Sequence, residues 1–250
     1  MMPTRTLDEG ELAAYERDGF VPLGRLLDDD DMAELLDEER TFRPATGYGS
    51  QTLFVTMQLC DQSEAIRRVC TQGPQIPMVA QLLGPNVCLT HTQLLTKLPD
   101  RDGTSAAIAF HQDNGYGHLE PMTDITVWIA VTAANQRNGG LRIVPGSHRL
   151  GLVQHGTDDV NRALRRASDG EGAVPVDLAP GEGVAFSGLT VHGSGPNLTY
   201  EPRVGFYARY CEPGVRMLSE GGRSVLEDRY SWMVAGVADR AERESASHAG

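Results

Sequence analysis

The sequence holds no apolar run long enough to cross a bilayer, no CxxC pair, no cluster of Lys and Arg, and no internal repeat. Each absence excludes a class. A membrane-spanning helix needs about 20 consecutive apolar residues. The four cysteines, Cys60, Cys70, Cys88 and Cys211, are too sparse for a disulfide scaffold, so they are expected to be reduced thiols. A nucleic-acid-binding face must be basic, whereas this chain carries a net charge of −12 and a pI near 5.0. The N-terminal stretch MMPTRTLDEGELAAY lacks the apolar core of a secretory leader. The expectation is a cytoplasmic protein that engages neither membrane nor nucleic acid.

What is present is turn chemistry and short apolar segments. The chain has 28 glycines and 14 prolines, and many turns imply many short strands. Residues 7–18, LDEGELAAYERD, read as an amphipathic helix stopped by Gly19. Residues 28–40, DDDDMAELLDEER, read as a second helix whose aspartates sit at the favourable end of its dipole. Residues 41–51 read as loop, LFVTMQLC as a strand, and SEAIRRVCTQGPQIPMVAQLLG as helix, break, helix. From residue 86 the segments VCLTHTQLLTKLP, AAIAFHQD, DITVWIAVTA, GLRIVPGS, AVPVDL, GVAFSGLTVH and RVGFYARYC are rich in Val, Ile, Leu, Thr and aromatics. They predict an all-β sandwich or barrel of about eight strands. No linker-like boundary separates the two parts. The expected organisation is one domain over 1–250, with helices in 7–85, a β-core over about 86–215, and a polar tail. Residues 154–172 form a long insertion, as lids and binding loops often do.

The stretch FHQDNGYGHL, residues 110–119, carries the first chemical signal. In a strand, residues i and i+2 share a face, so His111 and Asp113 could offer one nitrogen and one oxygen to a single metal. A third ligand must come from elsewhere. His192 closes the apolar run GVAFSGLTV just before a GSGPN turn, which gives it an apolar floor and an open rim. Taken alone it reads better as a structural histidine. Two histidines and a carboxylate leave open positions on a metal, the arrangement of non-haem Fe(II) oxygenases, whereas zinc favours a closed tetrahedral set. Arg203 lies eleven residues after His192, in the segment RVGFYARY. A hairpin would bring it near His192 and Ser194. An arginine does not help to bind a metal cation, but it makes sense if a dicarboxylate spans the metal and the guanidinium.

These residues carry a resemblance. The pieces HTQLLTKLP at 91–99, FHQDNGYG at 110–117, NGGLRIVPGSH at 138–148, VHGSGPN with Arg203, and the opening YERDGFVPLGRLL resemble the phytanoyl-CoA dioxygenase family of Fe(II)- and 2-oxoglutarate-dependent oxygenases. The likeness covers roughly residues 7–215. It implies a mainly β fold with flanking helices, built on a double-stranded β-helix (a cupin-like jelly roll). It implies Fe(II) held by His111, Asp113 and His192, and 2-oxoglutarate held by Arg203 and Ser194, with Gln93 and Trp128 at further co-substrate positions. Lys97, Asn114, Tyr116 and His118 are expected to face the main substrate. In LTHTQLLTKLP, the residues His91, Gln93, Leu95 and Lys97 alternate onto one largely polar face that suits a ligand cavity better than a closed core. The glycines of NGGLRIVPGSH, Gly139, Gly140 and Gly146, are expected to shape a strand and turn.

The reaction implied uses O2 and 2-oxoglutarate, releases succinate and CO2, and most simply hydroxylates a small molecule. The carboxylate at Asp113 argues against halogenation, which needs room for chloride there. Nothing marks a basic groove for an acyl-CoA. A different class stays open: a cupin-like zinc hydrolase or a non-catalytic metal- or ligand-binding protein. Arg203 and Ser194 weigh against it, since a hydrolase needs no dicarboxylate anchor.

Overall fold

The computed structural model describes residues 2–46, 48–49, 52–102, 107–115, 118–152, 169–219, 222–225 and 232–235. The chain opens with α1 (Glu9–Asp18), β1 (Phe20–Arg25), α2 (Asp29–Thr46), β2 (Tyr48–Gly49) and β3 (Leu53–Met57). Two further helices, α3 (Glu64–Gln72) and α4 (Ile76–Leu83), precede the long β4 (Val87–Lys97). Then come β5 (Ile108–His111), β6 (His118–Glu120), β7 (Ile125–Ala130), β8 (Leu141–Ile143), β9 (Val174–Pro175), β10 (Glu182–Ser187), β11 (His192–Ser194) and β12 (Arg203–Cys211). The last strands are β13 (Arg216–Ser219), β14 (Gly222–Val225) and β15 (Trp232–Ala235).

Local chemistry explains the helix ends. Asp8 accepts the Glu11 amide at 2.8 Å while the Glu11 carboxylate accepts the Asp8 amide at 2.9 Å, so two orphan donors of α1 are satisfied reciprocally. Gly19 ends α1 in the left-handed region, at φ 80°. Helix α2 runs to Thr46, past the end expected at residue 40 and through a stretch expected to be loop.

The strands form a large antiparallel sheet in the order β1-β10-β7-β12-β4-β3-β2, with β15 added on β4. A four-stranded sheet follows the order β5-β11-β8-β9, and a three-stranded one the order β14-β13-β6. Period-two patterning divides the large sheet between two cores. In β7, Ile125, Val127 and Ile129 join Val204, Phe206, Ala208 and Tyr210 of β12 in a core with Leu35, Ile66, Val69 and Val79 of the helices. On the opposite face, Trp128 and Ala130 pack with Leu141 and Ile143 of β8 and with Val184 and Phe186 of β10. The helices therefore cover the outside of the large sheet, and the small sheet covers its inside. This is a double-stranded β-helix with flanking helices, as expected. No helix among the described residues is long and apolar enough to cross a membrane.

Two local expectations are corrected. β10 stops at Ser187, so His192 does not end that strand but begins β11 after a turn. β11 and β12 do not form a hairpin. β11 pairs with β5 and β8 in the small sheet, and β12 with β4 and β7 in the large one. The GSGPN turn crosses between facing sheets, because the two strands bury their inner faces against each other across the interior. Residues 153–168, which take in the 154–172 insertion up to residue 168, lie outside the described residues.

Candidate metal centre and co-substrate cavity

His111 ends β5 and His192 begins β11, directly opposite it in register. Their rings lie 4.3 Å apart between centroids. The chain leaves the strand after His111, and Asp113 opens a single 3-10 turn. Even so, Asp113 Oδ1 sits 3.8 Å from His111 Nε2 and 3.6 Å from His192 Nε2. One ligand atom from each of the three residues lies within 4.8 Å of the others.

The other ring nitrogens show what these atoms are for. His111 Nδ1 lies 2.8 Å from the Ala109 carbonyl, and His192 Nδ1 lies 2.9 Å from the Thr190 carbonyl. A carbonyl only accepts, so each Nδ1 carries a hydrogen, and Nε2 is the atom each ring turns toward Asp113. Burial, and then the nearby His192, lower His111 to a pKa of about 4, so its ring is neutral near pH 7. Two imidazole nitrogens and a carboxylate oxygen thus converge on one point. That arrangement fits a metal cation. Asp113 is oriented in turn by Thr126, whose hydroxyl donates to Oδ2 at 2.5 Å. Burial raises the Asp113 carboxyl, but His192, Arg209, His111 and the Thr126 bond together hold it below its ordinary value.

Asn114 was expected to face substrate, and the structure places it elsewhere. It is fully buried. Its amide donates to Asp124 at 2.5 Å, and its carbonyl accepts from Arg209 at 2.7 Å and from the Leu119 amide at 3.3 Å. Arg209 closes the network with a 2.6 Å bond to Asp124. The network fixes the turn that carries Asp113.

The large sheet supplies the second half of the site. Its inner face is laid out in rows across β3, β4, β12 and β7. Met57, Gln93, Tyr207 and Trp128 form one row. Val55, Leu95, Gly205 and Ala130 form the next, and Leu53, Lys97 and Arg203 the third. Gly205 is required by close approach: a Cβ there would stand 2.4 Å from Trp128 Cζ2. The Trp128 ring folds over that gap and stacks against Arg203, with the guanidinium carbon 5.4 Å from the ring centroid.

Arg203 is 2 % exposed. Its Nη2 donates to the Gly139 carbonyl at 2.7 Å, but its Nε and Nη1 have no hydrogen-bond partner among the described residues. Burial lowers its pKa to about 10, and it stays charged near pH 7. A buried guanidinium with unused Nε and Nη1 donors fits an incoming anion. Gly139, at φ 75°, brings its carbonyl to Arg203, a role beyond the turn-shaping expected of it. Lys97 is fully buried and donates to Ser194 Oγ at 2.7 Å and to the carbonyl of Gly195. Since Oγ accepts from Lys97, the Ser194 hydroxyl hydrogen remains for an acceptor in the cavity.

These groups open into a cavity of about 410 Å³. His111, Asp113, His192, Ser194, Arg203, Gln93 and Trp128 all line it, so seven of the expected residues share one space. Gln93 also donates its amide to His91 Nε2 at 2.7 Å. Lys97, expected to face the substrate, is not on the lining and bonds to Ser194, which is. His118 lies in β6, opposite Leu218 in the third sheet. Tyr116 is outside the described residues. Tyr207 and Thr126 were missed. Tyr207 was legible, being two pairs of residues along β12 from Arg203 and hence on its face. The β3 residues of the lining left no local signal, because β3 lies more than fifty residues before the metal motif.

The chain is similar to proteins of known kind. The family model of phytanoyl-CoA dioxygenase (PhyH) matches residues 15–205. Peroxisomal phytanoyl-CoA dioxygenase of Rattus norvegicus is 27% identical over 250 residues, covering 88% of this chain and 74% of that protein. Ectoine dioxygenase of Nocardia farcinica is 26% identical over 226 residues, covering 77% of this chain and 74% of that protein. Among solved structures, the non-heme alpha ketoglutarate dependent epimerase SnoN from nogalamycin biosynthesis superposes with a TM-score of 0.72 at 25% identity, covering 83% of this chain and 82% of that one. With the family model spanning most of its length and its fold shared with such enzymes, the chain belongs to the phytanoyl-CoA dioxygenase family.

Proposed function

We propose that the chain is a non-haem Fe(II)- and 2-oxoglutarate-dependent oxygenase that hydroxylates a small molecule. In this reading His111, Asp113 and His192 hold the iron and leave its remaining positions facing the cavity. Arg203 takes the distal carboxylate of 2-oxoglutarate through its unused N–H donors, and the Ser194 hydroxyl donates to the same group. Lys97 orients that hydroxyl and adds a second buried positive charge for the dianion. Trp128 holds the guanidinium plane, and the sheet walls exclude water from the bonds it makes. When bound, Fe(II) with 2-oxoglutarate and O2 supplies an oxidant able to attack a C–H bond, with release of succinate and CO2. The protein's own contribution is position: it brings co-substrate, metal and substrate carbon into one dry space.

One observation carries this reading: the three-ligand cluster and the half-unsatisfied Arg203 line the same cavity. The SnoN structure, which was solved with Fe3+ and alpha ketoglutarate, supports it at 27% identity. The test is succinate formation from 2-oxoglutarate by protein reconstituted with Fe(II). Tight Zn(II) binding with neither 2-oxoglutarate binding nor turnover would favour a zinc hydrolase instead.

A further inference from the structure

We infer that the main substrate is an uncharged, largely apolar small molecule, seated against β3; this rests on the oxygenase reading above. The cavity has two chemically different ends. One holds His111, Asp113, His192, Ser194 and Arg203. The other is built by Leu53, Val55 and Met57 of β3, with Leu95 opposite Val55 on β4. The three β3 side chains are alternate residues of one strand, so they form a continuous wall. Leu53, Val55 and Leu95 are only partly buried. Met57 is 45 % exposed at the rim, unusual for so large an apolar side chain. Apolar surface left accessible inside a cavity gains from a ligand that removes it from water.

The distribution of charge points the same way. Among the described lining residues the permanent charges are Asp113 and Arg203. The first is committed to the metal and the second to the co-substrate. A zwitterion or an anion would find no further counter-ion there and would lose its hydration without replacement. The phosphates of a CoA thioester call for Arg or Lys, and β3 reads LFVTM. Tyr207 and Gln93 offer neutral hydrogen-bonding groups at the boundary between the two ends, enough to orient a hydroxyl or carbonyl. At about 410 Å³, part of it needed by 2-oxoglutarate, the cavity lies at the small end of ligand sites.

The test uses the neutral fluorophore Prodan on enzyme loaded with Fe(II) and 2-oxoglutarate without O2. Saturable, blue-shifted binding is expected, displaced by methyl octanoate at concentrations at least about tenfold below those needed for octanoyl-CoA or ectoine. Val55→Asp should weaken Prodan about tenfold or more, and the near-isosteric Val55→Thr, which keeps a strand-forming side chain if the aspartate does not fold, by about threefold. Unchanged Prodan affinity in the folded variants would overturn the assignment. So would displacement by octanoyl-CoA or ectoine at lower concentration than methyl octanoate. Succinate formation is read separately on the wild-type enzyme. Its absence with Prodan binding intact would sink the oxygenase reading, not the assignment of the cavity.

Discussion

Lys97 and Arg203 stand opposite each other in register on β4 and β12, both buried, and neither has a carboxylate partner among the described residues. Two neighbouring cations without an anion are costly unless an anion arrives. Burial, and then the Arg203 charge, depress Lys97 to a pKa of about 6. The free cavity end therefore holds the Arg203 charge beside a largely neutral Lys97 amine, and a dicarboxylate favours charging both.

A pH dependence follows. Near pH 7.5 the Lys97 amine is largely neutral in the free protein, given its pKa of about 6. A bound dianion raises that pKa, so binding takes up a proton. Affinity for 2-oxoglutarate should be level below about pH 6 and decline as pH rises above it. Calorimetry at pH 7.5 in buffers of different ionisation enthalpy should register uptake; no proton linkage would mean that Lys97 is already charged.

Arg203→Ala should weaken 2-oxoglutarate binding by about 100-fold or more, since it removes a charge-assisted pair in a dry site. Fe(II) binding should change far less. Arg203→Lys should rescue only in part, because an ammonium cannot reproduce the fork of donors. Equal losses of metal and co-substrate would show that the arginine supports the fold rather than the anchor.

Thr126→Val removes the hydroxyl that orients Asp113 while keeping a β-branched side chain in β7. Iron affinity should fall about 10- to 100-fold, as for other partners of metal ligands. The measurement is Fe(II) titration without O2, with the thermal midpoint as a control for folding.

Asn114→Ala opens the Asp124–Arg209 network and should cost about 2–4 kcal/mol of stability, by leaving buried polar groups unpaired. Urea unfolding checks this. Stability unchanged but turnover lost would return Asn114 to the role of a substrate contact.

Gly205→Ala puts a methyl where the Trp128 ring lies 2.4 Å away. The ring must turn off Arg203, with about 1–3 kcal/mol of strain and weaker 2-oxoglutarate binding. Tryptophan fluorescence should report the displacement; unaltered emission and affinity would show that Trp128 has no part in the anchor.

Much of this protein is legible along the chain, because the signals are short-range. Period-two patterning gave most of the strands, and the alternating face of His91, Gln93, Leu95 and Lys97 does turn inward. The residue types at 111, 113, 192, 194 and 203 named a chemistry before any coordinates. Other features were not legible. Whether Asn114 faces a ligand or a buried arginine depends on Arg209, ninety-five residues away. Arg203 reaches the cavity because two sheets face each other, not by the hairpin its spacing suggested. The β3 wall is remote from every motif.

The sequence by itself determined the donor set, the strand faces and the class of fold, since these follow from residue type and local periodicity. Only the tertiary structure decided which donors share a cavity, that Lys97 bonds Ser194 and lies off the cavity lining, and that the apolar strand β3 lines the same space. Those facts depend on strand register and on the packing of two sheets, which distant segments fix together.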